Sequence, residues 1–181
     1  TYQKIHSNDW DVVILQAQSQ EPAFPDAQVE TETYPYAKQM NDSIQDILTC
    51  AETMFYMTWG RENGDSQWEP ISTFEGMNER LENAYIQMAN DNDASVAPVG
   101  VAWKYVRDHY PSINLYSGDG SHPSFAGSYL AACVFYSNIF NKETVSSTFI
   151  GSLDSTTAVR LRRAADSTVF SDRFSQWRNG S

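Results

Sequence analysis

Three short apolar runs, at residues 11–16, 54–59 and 94–99, are separated by stretches in which apolar residues recur at helical spacing. Runs this short and continuous, rich in β-branched and aromatic residues, suit strands buried on both faces. After the first run, Pro22 and Pro25 mark a loop, and Pro35 sits at the first turn of a helix whose apolar stripe is Ala37, Met40, Ile44, Ile47 and Leu48. Ser72 with Glu75 reads as a capping box ahead of Met77, Leu81, Tyr85 and Met88. Val101, Tyr105 and Val106 lie on a helix that Pro111 stops, residues 128–140 form an apolar helix, and Ala158, Leu161, Ala165 and Val169 mark a last amphipathic one. Strand and helix alternate, which predicts an α/β three-layer sandwich: a parallel sheet with helices on both faces, in one domain over residues 1–181. Sites in such sheets lie outside the carboxyl ends of the strands, where Gln16, Trp59, Pro98 and Asp119 fall.

Charge narrows the partners. With 12 Lys and Arg against 23 Asp and Glu the net charge is -11, and no basic stripe interrupts it, so a nucleic-acid backbone would be repelled. No apolar run approaches the roughly 20 residues that span a bilayer, and the segment from Thr1 to His6 does not read as a signal peptide. The richness in Ser, Thr, Asn and Asp beside four lysines points to a secreted or periplasmic protein, and Asn41-Asp42-Ser43 and Asn179-Gly180-Ser181 match glycosylation sequons. Cys50 and Cys133, both in apolar surroundings, suit buried thiols and allow one disulfide at most. No Cys/His spacing suits a metal, and no cofactor motif is present.

The chemistry concentrates in Gly118-Asp119-Gly120-Ser121-His122-Pro123-Ser124. A carboxylate and an imidazole three residues apart, in a glycine-rich loop just before a helix, can pair so that the carboxylate fixes the imidazole tautomer and steadies the imidazolium. The plain alternative is a helix entry, with Ser124 as N-cap and His122 on the surface. Gln16 and Gln18, at the end of the first strand, could donate amide hydrogen bonds to a developing oxyanion or could satisfy loop backbone groups. Trp59 and Arg61, at the end of the second, could stack on a sugar and bind its hydroxyls, or could be a core ring and a loop cap. Trp103 reads as core, and His6 and His109 as surface residues.

Asp119-x-x-His122-Pro123, followed by a small residue, a glycine and a long apolar helix late in an α/β chain, resembles the last sequence block of the SGNH (GDSL-type) hydrolase superfamily. The resemblance implies a flavodoxin-like sheet and a Ser-His-Asp triad for ester hydrolysis, with Asp119 orienting His122 and no metal or organic cofactor. Glutamine at the first strand end resembles the carbohydrate acetylesterase branch, which implies Gln16, then Gln18, as oxyanion donors and an acylated small molecule or saccharide as substrate. The family's nucleophile block, with two strands before the one at residues 11–16, has no counterpart here.

The serine is therefore missing from its expected place. Gly64-Asp65-Ser66 spells the family tripeptide but lies in a polar loop seven residues past Trp59, and Ser19 lacks the flanking glycines of a nucleophile turn. The expectation is a carboxyl-terminal portion of the family fold, lacking its first strands, whose serine comes from a companion amino-terminal polypeptide. A sheet starting at a middle strand would expose an apolar edge and face. The alternative is a non-catalytic carbohydrate-binding or assembly protein on the same fold.

Overall fold

A computed structural model describes residues 2–178; the sequon at Asn179 lies outside the described residues. Its elements are α1 (Tyr2–Ile5), β1 (Val12–Leu15), α2 (Asp26–Glu32), α3 (Tyr34–Gln45), β2 (Glu52–Tyr56), α4 (Phe74–Asn92), β3 (Ser95–Ala97), α5 (Val99–His109), α6 (Phe125–Phe140) and α7 (Ser155–Val169). The three strands form one sheet in the order β1-β2-β3, parallel throughout, with Leu15 beside Phe55 and Tyr56 beside Ala97. Alternate side chains choose opposite faces. Met54 and Ala97 join the core of α5, α6 and α7, whereas Phe55, Met57 and Val96 pack on α4, and Val13 meets Ile44 and Leu48 beside α3. This is the three-layer α/β sandwich that the alternating pattern implies.

Boundaries differ from the sequence reading where backbone chemistry overrides hydrophobicity. β3 stops at Ala97 because Pro98 has no N–H to give a ladder, and α5 begins directly after it. Thr73 rather than Ser72 caps α4: Thr73 has the extended backbone a cap needs and its hydroxyl accepts the Gly76 N–H (3.1 Å), while Ser72 is already helical and bonds Glu69 O (2.8 Å). The stretch after Pro25, read as loop, holds α2; it buries only Val29 and so shows no apolar stripe. Helix α3 ends at Gln45, leaving Ile47 exposed. Cys133 is buried on α6, but Cys50 is exposed in the turn between α3 and β2, and both thiols are free. Asn41 is buried and its amide donates to Asn92 O (3.2 Å), so that sequon faces the interior.

β1 is an open edge: among the described residues it pairs with β2 alone. Ile14 on it is 43% exposed, and Tyr136 and Phe140 on α6 are 43% and 58% exposed. No helix among the described residues is long and apolar enough to cross a membrane.

Candidate active site

The chain between α5 and α6 closes a tight hairpin. Tyr116 and Pro123 bridge antiparallel, Ser117 N–H donates to His122 O (2.8 Å), and Gly120 N–H donates to Ser117 O (3.1 Å). Gly120 has φ +66°, a left-handed conformation that favours glycine. Ser124 then caps α6 by accepting the Gly127 N–H (3.2 Å), so the helix-entry feature and the Asp-His pairing coexist.

Within the hairpin Asp119 and His122 meet, with Oδ2 2.5 Å from Nδ1. Asp119 Oδ1 accepts from the Ser117 hydroxyl and from the Ser121 and His122 amides, each at 2.9 Å. The His122 side chain first, then these donors, hold the Asp119 carboxyl well below the usual carboxylate range. An ionised carboxylate only accepts, so Nδ1 carries the proton, and in the neutral ring Nε2 is the acceptor. The His122 side chain is 81% exposed, which leaves Nε2 accessible to an incoming hydroxyl.

The loop after β2 packs against this hairpin. The Trp59 indole N–H donates to Ser121 O (3.1 Å), the Glu62 N–H to Gly120 O (2.8 Å), and the Tyr116 hydroxyl to Gly60 O (2.7 Å). One face of Trp59 lies flat on Trp103, 3.9 Å between ring centroids and 1° between planes; Trp103 is fully buried, as its sequence context implies. Burial pushes the Tyr116 phenol up to about 12, so it stays a hydrogen-bond donor.

Arg61 is committed to Asp65 and Gln20 rather than to Asp119 or His122. Its guanidinium donates to Asp65 Oδ2 (3.0 Å) and Gln20 Oε1 (2.8 Å), and the Gln20 amide also bonds Asp65, tying together the loops after β1 and β2. Gln18 satisfies its own loop: its carbonyl accepts the Gln20 and Glu21 amides (2.8 and 3.2 Å) and its NH2 reaches Ser19 Oγ (3.3 Å). Gln16 is exposed and lines a cavity of about 270 Å³ with Leu15, Tyr36, Met40 and Tyr85. Neither Gln16 nor Gln18 bonds Asp119 or His122. Among the described residues no hydroxyl is hydrogen-bonded to the His122 ring; Ser66 lies in an exposed turn. His6 pairs with Ser43 and His109 with Tyr105 O, both exposed and neither bonded to Asp119. Among the described residues no three His, Cys, Asp or Glu side chains gather as a metal ion requires.

The supporting groups that sequence reasoning missed are Ser117, Tyr116, Gln20, Asp65 and the Glu62 backbone N–H. Ser117, two residues before Asp119, carried a readable signal, since a hydroxyl there can bond an aspartate at a turn. A backbone N–H carries none.

Solved structures share this architecture. The chain is similar to a DUF4886 family protein from Bacteroides uniformis, with a TM-score of 0.80 and 17% identity over 93% of this chain and 66% of that one. It is also similar to a protein from Slackia heliotrinireducens assigned provisionally as an SGNH hydrolase, with a TM-score of 0.59 and 28% identity over 74% of this chain and 67% of that one. The fold is SGNH-hydrolase-like. The chain spans about two thirds of the length of each of these structures. No protein-family model and no curated protein matches the sequence.

Proposed function

We propose that this chain carries the acid–base half of a serine esterase site that acts on carbohydrate O-acetyl esters. The observation that carries the reading is the 2.5 Å contact between His122 Nδ1 and Asp119 Oδ2, on a His122 side chain that is largely exposed. A serine from a segment outside these residues attacks the acyl carbon; Nε2 takes its proton and then returns it to the departing sugar oxygen, and a second cycle with water releases acetate. Asp119 stays ionised and steadies the imidazolium. Gln16, whose amide is not tied up in its own loop, donates to the oxyanion, while Arg61 holds the β1 and β2 loops on the side where a saccharide would lie. The serine-bearing segment has a seat at the open edge of β1, where a parallel strand would end beside Gln16 and cover Ile14.

Assay of the intact source protein on aryl acetates and acetylated saccharides tests the proposal. His122→Ala should lower kcat by at least about 10³-fold; full activity in that variant would remove His122 from the mechanism. The absence of a hydroxyl on the His122 ring among the described residues supports a second reading, saccharide binding without hydrolysis. That reading requires saccharide affinity in a protein with no esterase activity.

A further inference from the structure

The loop after β2 and the Asp119 carboxylate are joined through two consecutive peptide groups. In the first, the Gly120 carbonyl accepts the Glu62 N–H (2.8 Å) while the Ser121 N–H of the same peptide donates to Asp119 Oδ1 (2.9 Å). In the second, the Ser121 carbonyl accepts the Trp59 indole N–H (3.1 Å) while the His122 N–H donates to the same Oδ1 (2.9 Å). Peptide groups are rigid planes, so fixing the carbonyl end fixes the direction of the N–H. Hydrogen bonds at both ends of one amide also polarise each other. The Trp59 ring is itself immobilised on buried Trp103, and Glu62 is the second residue of a turn closed by Gly64 N–H to Arg61 O (3.0 Å).

We infer that Trp59 and the Glu62 backbone are positioning groups for the acid–base pair: they clamp the two peptides whose N–H groups aim at Asp119, and so hold its other oxygen on His122 Nδ1. The inference rests on the proposed esterase for its catalytic consequence but not for its geometry. It gives Trp59 a role that acts through Asp119, in place of direct stacking on substrate.

Two variants separate the clamps. Trp59→Phe keeps a ring on Trp103 but removes the N–H donor. Glu62→Pro removes the other donor at a turn position that favours proline. Amide exchange followed by NMR on the folded chain is the readout. Trp59→Phe should speed exchange of the His122 amide at least about fivefold, the effect of one lost hydrogen bond. Glu62→Pro should do the same at the Ser121 amide, and amides within α6 should be unchanged in both. Unchanged Ser121 and His122 exchange in both variants overturns the inference; if one variant fails to fold, the other decides alone. In the intact, active protein a positioning role predicts a fall in kcat with KM nearly constant for Trp59→Phe. A rise in KM with kcat constant would instead return Trp59 to substrate binding. The exchange result stands whether or not esterase activity is found.

Discussion

Replacing Gly127 with alanine sets two effects of opposite sign against each other at the root of the site. Helix propensity alone favours the change by about 1 kcal/mol, because glycine is costly inside a helix such as α6. Packing opposes it. A Cβ on Gly127 would stand 2.3 Å from the Leu115 carbonyl oxygen and 2.4 Å from the edge of the Trp103 ring. Neither neighbour yields cheaply: Leu115 O accepts the Ser124 N–H (2.8 Å), which anchors the exit of the hairpin, and Trp103 is fully buried between Trp59 and the edge-on ring of Tyr116. Overpacking costs about 1–3 kcal/mol, and a clash with backbone and ring together belongs at the upper end. The net expectation is a loss of about 1–2 kcal/mol, which for a chain of this size lowers the melting midpoint by about 2–8 °C. Thermal unfolding of variant and wild type, followed by circular dichroism in the same buffer, measures it. An unchanged or raised midpoint means that propensity wins, and it refutes the close packing of α6 on the Trp103–Trp59 stack.

Acid should expose the Asp119 contribution. Its carboxyl is held below its ordinary value of 3.8, so protons bind the unfolded chain more readily, and the stabilisation is fully present above that value and lost as pH falls through the folded-state value. The gap in unfolding midpoint between wild type and Asp119→Asn should narrow as pH falls below about 4; a gap that stays constant or widens below that pH contradicts the assignment. Thiol reactivity should be split. Burial pushes the Cys133 thiol up to about 11, while Cys50 is exposed, so a disulfide reagent at mildly alkaline pH should modify one thiol quickly and the second only on unfolding. Two fast thiols would mean that α6 does not bury Cys133. Thr73→Ala, which removes the α4 cap, should cost about 0.5–2 kcal/mol in denaturant unfolding, and Ser72→Ala markedly less; equal losses would return the cap to Ser72.

Local features were the legible ones. Asp119 and His122 lie within one tight hairpin, so their meeting depends on a few backbone angles that the glycines announce. The parallel sheet was legible because its runs are apolar on both faces, although Pro98 and the extended backbone at Thr73 moved individual boundaries by a residue or two. The use of each polar side chain at the strand ends was not legible. Gln16 and Gln18 are two residues apart and chemically the same, yet Gln18 spends its amide on its own turn. Arg61 chose Asp65 and Gln20 because the β1 loop folds over it, a contact between distant segments that leaves no local pattern. The Glu62 N–H acts through the backbone, which any residue but proline supplies.

The central claim is that Asp119 and His122 form the acid–base half of a serine hydrolase site whose nucleophile lies outside these residues. Covalent labelling of the intact source protein with a fluorophosphonate, followed by peptide mapping, tests it most directly. The account predicts a single adduct on a serine outside the 181 residues, abolished in His122→Ala. No adduct, an adduct on Ser19 or Ser66, or labelling that persists without His122 would contradict it.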